Sequence, residues 1–124
     1  MQQTNRDRRL IDVILKDIDT LNQRVKHYAV TEDSFKNDFS FEGEAAFDLV
    51  MTPVYRIAED ALHLSDELMN EYPDYPWDDI RGFRNFVAHG YRNVDRDIAW
   101  GVVNKDIPEL GKLLRAYLDE YERD

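Results

Sequence analysis

Apolar side chains recur at alternating steps of three and four along almost the whole of this 124-residue chain. That period places them in one stripe of an α-helix, whereas a half-buried strand would alternate apolar and polar residues in steps of two. Few alternations of the second kind and no hairpin signal compete with the helical pattern. The sequence therefore predicts an all-α fold, an antiparallel bundle of four helices, or of up to five if kinks divide them.

The N-terminal third divides into a long helix and a connection. The first predicted helix covers about residues 6–29. Its apolar stripe comprises Ile11, Ile14, Ile18, Leu21, Val25 and Tyr28. Residues 30–41 are polar and are expected to form a loop holding one short turn, with Thr31 and Ser40 as candidate N-caps.

Prolines mark the expected irregularities in the remaining helices. A second helix is predicted over about residues 42–71, and Pro53 inside it predicts a kink or a division into two helices. A third, shorter helix is expected over about residues 76–89, since Pro76 suits a first helical turn and acidic residues follow it. After the turn GYRNVD, the same periodicity continues to the C-terminus, and Pro108 predicts a second kink.

Composition predicts one soluble, cytoplasmic domain spanning residues 1–124. The chain has no cysteine, which excludes disulfides, thiolate zinc sites and cysteine nucleophiles and is typical of a reducing compartment. No window approaches the roughly 18 uninterrupted apolar residues of a membrane span, and no internal repeat or long linker suggests a boundary. We therefore expect no contact with a membrane.

The charge distribution is uneven. The 26 acidic and 16 basic residues give a net charge of −10, which argues against a nucleic-acid ligand, because phosphate contacts demand a basic footprint. Residues 81–96, however, contain four arginines and one histidine, opposed only by Asp95. This segment either forms a local cationic patch or simply carries arginines scattered along a helical surface.

Residues 84–91, RNFVAHGY, hold the most distinctive set of polar groups. Asn85 and His89 are four positions apart, so on a helix they share a face where the amide can bond the imidazole. Gly90 would let the chain turn sharply and carry Tyr91 out of helical register, back toward the histidine. Together with Arg84, these groups could converge on one site.

Cleavage of RNA without a metal ion would suit such a group. The reaction needs a base for the ribose 2′-hydroxyl, an acid for the leaving oxygen and a cation for the phosphorane. His89 could serve as base or acid and Arg84 as the cation, so one chain supplies half of the set, and a two-fold dimer would complete it. The competing interpretation is that the Arg-x₄-His spacing arises by chance and that His89 only favours the helix dipole.

Other polar and aromatic groups suggest no second chemistry. His27 and His63 have no partner at metal-ligand spacing and are expected to be structural or exposed, so no metal site is predicted. Gly-rich phosphate loops and the motifs of metalloproteases and α/β-hydrolases are absent from the sequence. Trp77 and Trp100 are interpreted as core or dimer anchors rather than platforms for stacked bases.

The run from Tyr72 to Leu110, YPDYPWDDIRGFRNFVAHGYRNVDRDIAWGVVNKDIPEL, resembles the HepT-like family, the DUF86 group of HEPN-domain proteins. Members carry a Trp followed by I-R-G-x-R-N-x-x-x-H-x-Y and then V-D. The upstream run RIAEDALHLSDELMNEYP is similar to the family's I-G-E-A helix, although Ala58 and Asp60 stand where glycine and alanine are usual, and Pro53 is atypical.

The resemblance implies an all-α HEPN bundle, usually a homodimer, with the Arg-x₄-His motifs of both protomers lining a cleft. Carried over by position, Arg84, Asn85 and His89 would be the ribonuclease residues. Tyr91 would be the residue to which a cognate nucleotidyltransferase antitoxin of the minimal MNT type adds AMP. The flanking Arg81 and Arg92 are expected to contact RNA phosphates, and no cofactor is implied.

Two classes of function remain open at this stage. The first is a metal-independent ribonuclease toxin of a toxin–antitoxin pair, with Arg84 and His89 catalytic. The second is a non-catalytic HEPN module that binds nucleotide or RNA, or that serves only as the partner of a nucleotidyltransferase, with the same residues gripping phosphate.

Overall fold

The computed structural model describes the backbone of residues 2–122 and the side chains of residues 5–121. Within that part of the chain the structure is helical and contains no strand, as the periodicity predicts. A 3₁₀ turn at Tyr91–Asn93 follows the fifth helix, and a π-helical turn at Val102–Asp106 joins the last two. The helices are α1 (Gln2–His27), α2 (Glu32–Asn37), α3 (Phe41–Ala61), α4 (Asp66–Glu71), α5 (Trp77–Gly90), α6 (Arg96–Gly101) and α7 (Ile107–Glu122).

Helix α3 lies between α1 and α5, and α7 packs on the far side of α1. The α1–α3 pair is antiparallel, because Arg24 near the end of α1 donates to the Leu49 carbonyl early in α3 at 2.8 Å. One continuous core joins the apolar stripes of these helices. In α1 the predicted stripe is buried at Ile11, Ile14, Ile18 and Leu21.

Tyr28, the last member of that predicted stripe, is exposed instead. The helix ends at His27, and Ala29 adopts a left-handed conformation with φ of 50°. The Val30 amide then donates back to the Val25 carbonyl at 2.9 Å, which is the Schellman pattern that ends many helices. The chain therefore leaves the helical path before the stripe is complete.

Both predicted N-caps are confirmed. Thr31 accepts a hydrogen bond from the Ser34 amide and begins α2, and Ser40 accepts one from the Gly43 amide and begins α3. These short polar side chains satisfy amides that have no partner inside the helix, so the turn and the second long helix begin where the sequence predicts.

The break in the second predicted helix lies elsewhere than at Pro53, which is inside α3. The chain leaves the helix after Ala61 and starts α4 at Ser65, whose hydroxyl accepts from the Leu68 amide at 3.1 Å. The buried Asp7 carboxylate fixes this point by accepting from the Ser65 amide at 2.8 Å and from its hydroxyl at 2.6 Å. A contact with α1, rather than the proline, divides the helix.

The second predicted kink lies just before Pro108. The π-helical turn at Val102–Asp106 precedes α7, in which Pro108 is the second residue. Proline has no backbone donor and clashes with the carbonyl four residues earlier, so a wider turn there relieves both problems. Tyr75 donates to the Asp106 carbonyl at 2.6 Å and anchors the irregular segment to the α4–α5 connection.

Candidate functional site

Helix α5 places the motif on the surface of the bundle. It begins directly after Pro76, and its buried stripe consists of Ile80, Phe83 and Val87. Because these residues are three or four positions apart, their side chains lie on one face of α5, and this face packs against α3. The opposite face therefore points outward.

That outward face carries Arg81, Asn85, Phe86 and His89, all of them exposed. Phe86 is 49% exposed, which is unusual for a large aromatic side chain with a core available. No side chain lies near Gly82 on the same face. The exposed face of α5 is thus partly apolar, partly cationic and bare of covering elements among the residues described.

Arg84 lies at the edge of the buried stripe and turns toward α3 rather than outward. Its Nε donates a hydrogen bond to the Glu59 carboxylate, and Nη1 donates to the Asn85 side-chain oxygen at 3.0 Å. The guanidinium lowers the pKa of Glu59 below its ordinary value, and Glu59 in turn raises the pKa of Arg84. The expected cation is therefore held in an ion pair within the protomer.

Asn85 bonds Arg84 and not His89, so the amide–imidazole bond expected from their spacing is absent. His89 is exposed and lies in the last turn of α5, where the negative end of the helix dipole stabilises a basic group. Its imidazole makes no hydrogen bond or ion pair with any residue that the structure describes. Both ring nitrogens are consequently available to a ligand.

Tyr91 follows Gly90 into the 3₁₀ turn but moves away from the histidine. Its phenol donates a hydrogen bond to the Asp48 carboxylate of α3, and its ring packs against Phe47 with 6.0 Å between centroids. Burial, and then the bond to Asp48, raise the pKa of Tyr91 above its ordinary value, so the phenol is protonated at neutral pH. No hydrogen bond joins Tyr91 to His89.

A cleft of about 1050 Å³ opens beside Tyr91. Within it, the Cζ atom of the Arg96 guanidinium lies over the rings of Phe39 and Phe47, 4.2 and 3.9 Å from their centroids. Cation–π attraction to both rings stabilises the guanidinium in this position. The remaining charged side chains of the cleft are Lys36, Glu44, Asp48, Arg92, Asp95 and Asp97.

The two arginines predicted to contact RNA phosphates differ in whether they already form an ion pair within the protein. Arg81 is exposed and lies 3.4 Å from the Asp78 carboxylate, one turn earlier in α5. Arg92 is exposed and pairs with no residue in the described part of the chain. Arg92 is therefore the more available cation, although it lines the Tyr91 cleft rather than the outward face of α5.

The predicted site thus separates into two groups along α3. Glu59 binds Arg84, and Asp48 binds Tyr91. Glu59 and Asp48 are eleven residues apart in α3, which corresponds to about 16 Å along the helix axis. Neither acid was expected from the sequence, because each acts across a helix pair. For Glu59, the sequence offered one indication of a role, because this residue lies in the segment similar to the family's upstream helix. For Asp48, the sequence offered no such indication.

The residues described hold no cluster of histidine and acidic side chains able to bind a metal ion. His63 lies 3.7 Å from Glu59, and His27 is exposed beside Tyr28. None of the described helices is long and apolar enough to cross a membrane.

Comparison with known proteins places the whole arrangement in a family. Residues 9–117 match the family model described as "Ribonuclease HepT-like". The chain is 29% identical over 94 residues to "Gamma-glutamylcyclotransferase and putative RNase MJ0434" of Methanocaldococcus jannaschii, covering 76% of this chain and 42% of that protein. No solved structure matches the chain significantly.

Two further relatives carry ribonuclease names. "Putative RNase TTE0752" of Caldanaerobacter subterraneus is 33% identical over 64 residues, covering 52% of this chain and 57% of that protein. "Probable ribonuclease HepT" of Thermococcus cleftensis is 30% identical over 54 residues, covering 44% and 49%. The matched region spans about half the length of these relatives. Because the family model covers far more than half of the all-α chain, the chain belongs to the HepT-like ribonuclease family.

Proposed function

We propose that this chain is a metal-independent endoribonuclease toxin of a HEPN/MNT toxin–antitoxin pair, active as a homodimer and silenced when a cognate nucleotidyltransferase adds AMP to Tyr91. The observation that carries the proposal is an exposed His89, without a partner among the residues described, on the same helix as Arg84 in a chain of the HepT-like family. The relatives named as ribonucleases support the reaction class.

The chemistry assigns roles to four side chains. An imidazole of His89 takes the proton from the ribose 2′-hydroxyl, and the second copy's imidazole protonates the leaving oxygen. Arg84 stabilises the phosphorane, with Asn85 and Glu59 holding its guanidinium in one plane. Because Glu59 offsets the charge of Arg84, the RNA phosphate must compete with a carboxylate, and this favours a moderate affinity for RNA.

A groove beside α5 supports the homodimer. It has a volume of about 690 Å³ and lies between α5 and α6, where Phe86 and Ile98 are 49% and 59% exposed. Gly82 and Gly101 line the same groove, and in the described part of the chain no atom from elsewhere lies within 4 Å of the position that a Cβ would take at either glycine, so another helix could approach the backbone closely. A second copy seated there would bring two exposed faces of α5, and two histidines, around one phosphate.

The modification of Tyr91 explains how activity would be switched off. AMP added to the phenol introduces a phosphodiester anion two residues beyond His89. Bulk and negative charge directly after the end of α5 would block and repel an RNA backbone bound along that helix. The large cleft at Tyr91 leaves room for the transferred nucleotide.

Induction of the gene without its neighbours tests the activity. We expect growth arrest with degraded RNA, and we expect His89→Ala or Arg84→Ala to relieve both. The matched controls are His27→Ala, another exposed histidine in the last turn of a helix, and Arg56→Ala, an exposed arginine of α3. A harmless wild type that leaves RNA intact would instead favour the non-catalytic module that binds nucleotide or RNA.

Sedimentation of the purified protein tests the dimer. We expect a dimer at micromolar concentration and a monomer for Phe86→Glu, because a charge would be buried in the groove. Phe41→Glu is the matched control, since Phe41 is 91% exposed and lies outside the groove. A monodisperse wild-type monomer would contradict the proposed active site.

A further inference from the structure

The pair formed by Tyr91 and Asp48 has the geometry of a nucleophile with its base. The phenol of Tyr91 donates directly to a carboxylate oxygen of Asp48, and both side chains line the same open cleft. Asp48 is exposed, so a ligand in the cleft can reach its carboxylate. Its partner is the oxygen that nucleotidylation would use.

We propose that Asp48 is the general base for the nucleotidylation of Tyr91. The inference rests on the function proposed above and adds the residue that activates the acceptor. In the transfer, the Tyr91 oxygen bonds to the α-phosphorus of ATP while the bond from that phosphorus to the β-phosphate oxygen breaks. Pyrophosphate leaves, and the phenol proton passes to the Asp48 carboxylate.

The surroundings of the pair suit a nucleotide held by the transferase. Phe39 is 62% exposed at the rim of the cleft, and its ring is backed by the guanidinium of Arg96. An aromatic face of this kind can stack with a purine. Arg92 is the unpaired cation nearest in sequence to Tyr91, whereas Lys36 is already paired with Glu32 and Asp97.

Charged side chains line the cleft on each element around the phenol: Glu44 and Asp48 on α3, Lys36 on α2, Arg92 in the turn, and Asp95, Arg96 and Asp97 at the start of α6. None of them is a histidine, the side chain whose ordinary pKa lies closest to neutral pH. The base-assisted reaction of Tyr91 should therefore change little between about pH 6 and pH 8.

Transfer of AMP also removes the hydrogen bond between Tyr91 and Asp48. The modified oxygen has no proton to donate, and the phosphodiester carries a negative charge beside the Asp48 carboxylate. Repulsion between like charges then favours release of the modified side chain from α3. Asp48 would thus activate Tyr91 before the reaction and repel the modified side chain after it.

A transferase-independent reaction tests the base. Fluorosulfonylbenzoyl adenosine is an adenosine electrophile: the phenol oxygen bonds to sulfur, fluoride leaves, and the proton goes to the base. Labelling of Tyr91 is measured by peptide mass spectrometry against Tyr28, which is 47% exposed and has no carboxylate partner among the residues described. Tyr121, which donates to Glu71 at 2.6 Å outside the cleft, reports what a carboxylate alone provides.

Three variants separate basicity from positioning. Asp48→Asn keeps an oxygen that accepts the phenol hydrogen bond but cannot take the proton, whereas Asp48→Ala loses both. Glu44→Gln is the matched control, one helical turn earlier in the same cleft. We expect labelling of Tyr91 in Asp48→Asn to fall by about 100-fold and to rise about tenfold per pH unit, as required when hydroxide must first ionise the phenol.

Equal rates and equal pH profiles for the wild type and Asp48→Asn would overturn the proposal, as would a wild-type Tyr91 that reacts no faster than Tyr28. A loss confined to Asp48→Ala would also overturn it, because Asp48 would then only position the phenol. The same variants are incubated with ATP, Mg²⁺ and the cognate nucleotidyltransferase. A fast, Asp48-dependent reaction with the electrophile but no transfer of AMP would reject the proposed modification, and with it nucleotidylation as the reaction that Asp48 assists, while showing that Asp48 acts as a base on the Tyr91 phenol.

Discussion

Two carboxylates of α3 bind the motif, one on α5 and one on the 3₁₀ turn after it, and their partners differ in charge. At one end Glu59 binds a guanidinium, and at the other Asp48 binds a neutral phenol. At neutral pH both partners of the first pair are charged, whereas in the second a neutral phenol donates its proton to a carboxylate oxygen. Under the proposed function, α3 therefore binds the cation for RNA phosphate at one end and the acceptor of AMP at the other.

Under the proposed function, we expect cleavage and silencing to respond to different substitutions. Arg84 and Tyr91 are bound to α3 about three helical turns apart, or about 16 Å, and no hydrogen bond connects the two pairs. Substitutions at one pair should affect one activity and leave the other in place, and the predictions follow from that separation.

Removal of the phenol oxygen has the largest expected effect. Tyr91→Phe should lose all transfer of AMP, because no nucleophilic oxygen remains, and should retain RNA cleavage within about twofold. Intact mass after incubation with the transferase and a cleavage assay on the same preparation check both parts. Transfer of AMP to the variant at the wild-type level would place the modification on another residue.

Loss of the guanidinium should act at the opposite end. Arg84→Ala is expected to lower the rate of RNA cleavage by about 10²- to 10³-fold, the usual cost of removing one group that stabilises transition-state charge. Labelling of Tyr91 by the adenosine electrophile should be unchanged. If the labelling rate fell with the cleavage rate, the two ends would be coupled and the comparison would fail.

A smaller effect is expected when Arg84 loses its carboxylate partner. Glu59→Gln should free one positive charge for RNA and strengthen binding several-fold at low salt, with a log–log salt slope steeper by about one unit. Fluorescence anisotropy with a non-cleavable RNA at several salt concentrations measures this slope. An unchanged slope would mean that Glu59 does not compete with phosphate.

The same variant predicts how stability depends on pH. Arg84 lowers the pKa of Glu59 in the folded state, so the ion pair stabilises the protein above the ordinary glutamate pKa of about 4.3. This stabilisation disappears as the pH falls through the lowered pKa. The wild type and Glu59→Gln should therefore converge in thermal midpoint on acidification; a constant difference would contradict the assignment.

The smallest functional effect is expected at a site that belongs to neither end. Asp7 is buried and accepts two hydrogen bonds from Ser65, so Asp7→Ala should destabilise the fold by about 1–3 kcal/mol. Chemical denaturation gives the change in unfolding free energy. Below the melting temperature of Asp7→Ala, the ratio of its RNA-cleavage rate to its Tyr91-labelling rate should equal the wild-type ratio.

Much of the fold could be predicted from local patterns. The period of the apolar residues determined the long helices, and Thr31 and Ser40 act on amides within three residues of themselves. The break at Ser65 could not be predicted in the same way, because it depends on Asp7, 58 positions earlier. Local chemistry determines where a helix can end, and tertiary contacts select among the candidates.

The candidate site divides along the same line. The four-residue spacing predicted that Asn85 and His89 share a face of one helix, and both are exposed on α5, although Asn85 bonds Arg84 instead of His89. Convergence of Tyr91 on the histidine was wrong within one protomer, since the phenol bonds Asp48 instead. The acids of α3 reach the motif through the rotation and register of two packed helices, which a single sequence does not encode locally.

The most direct test of the account is the rate at which the purified protein cleaves a defined RNA in the presence of EDTA. We predict cleavage by the wild type and a loss of about 10²- to 10⁴-fold in His89→Ala, with His27→Ala unaffected. Intact RNA after incubation with the wild type, or equal cleavage by His89→Ala, would contradict it.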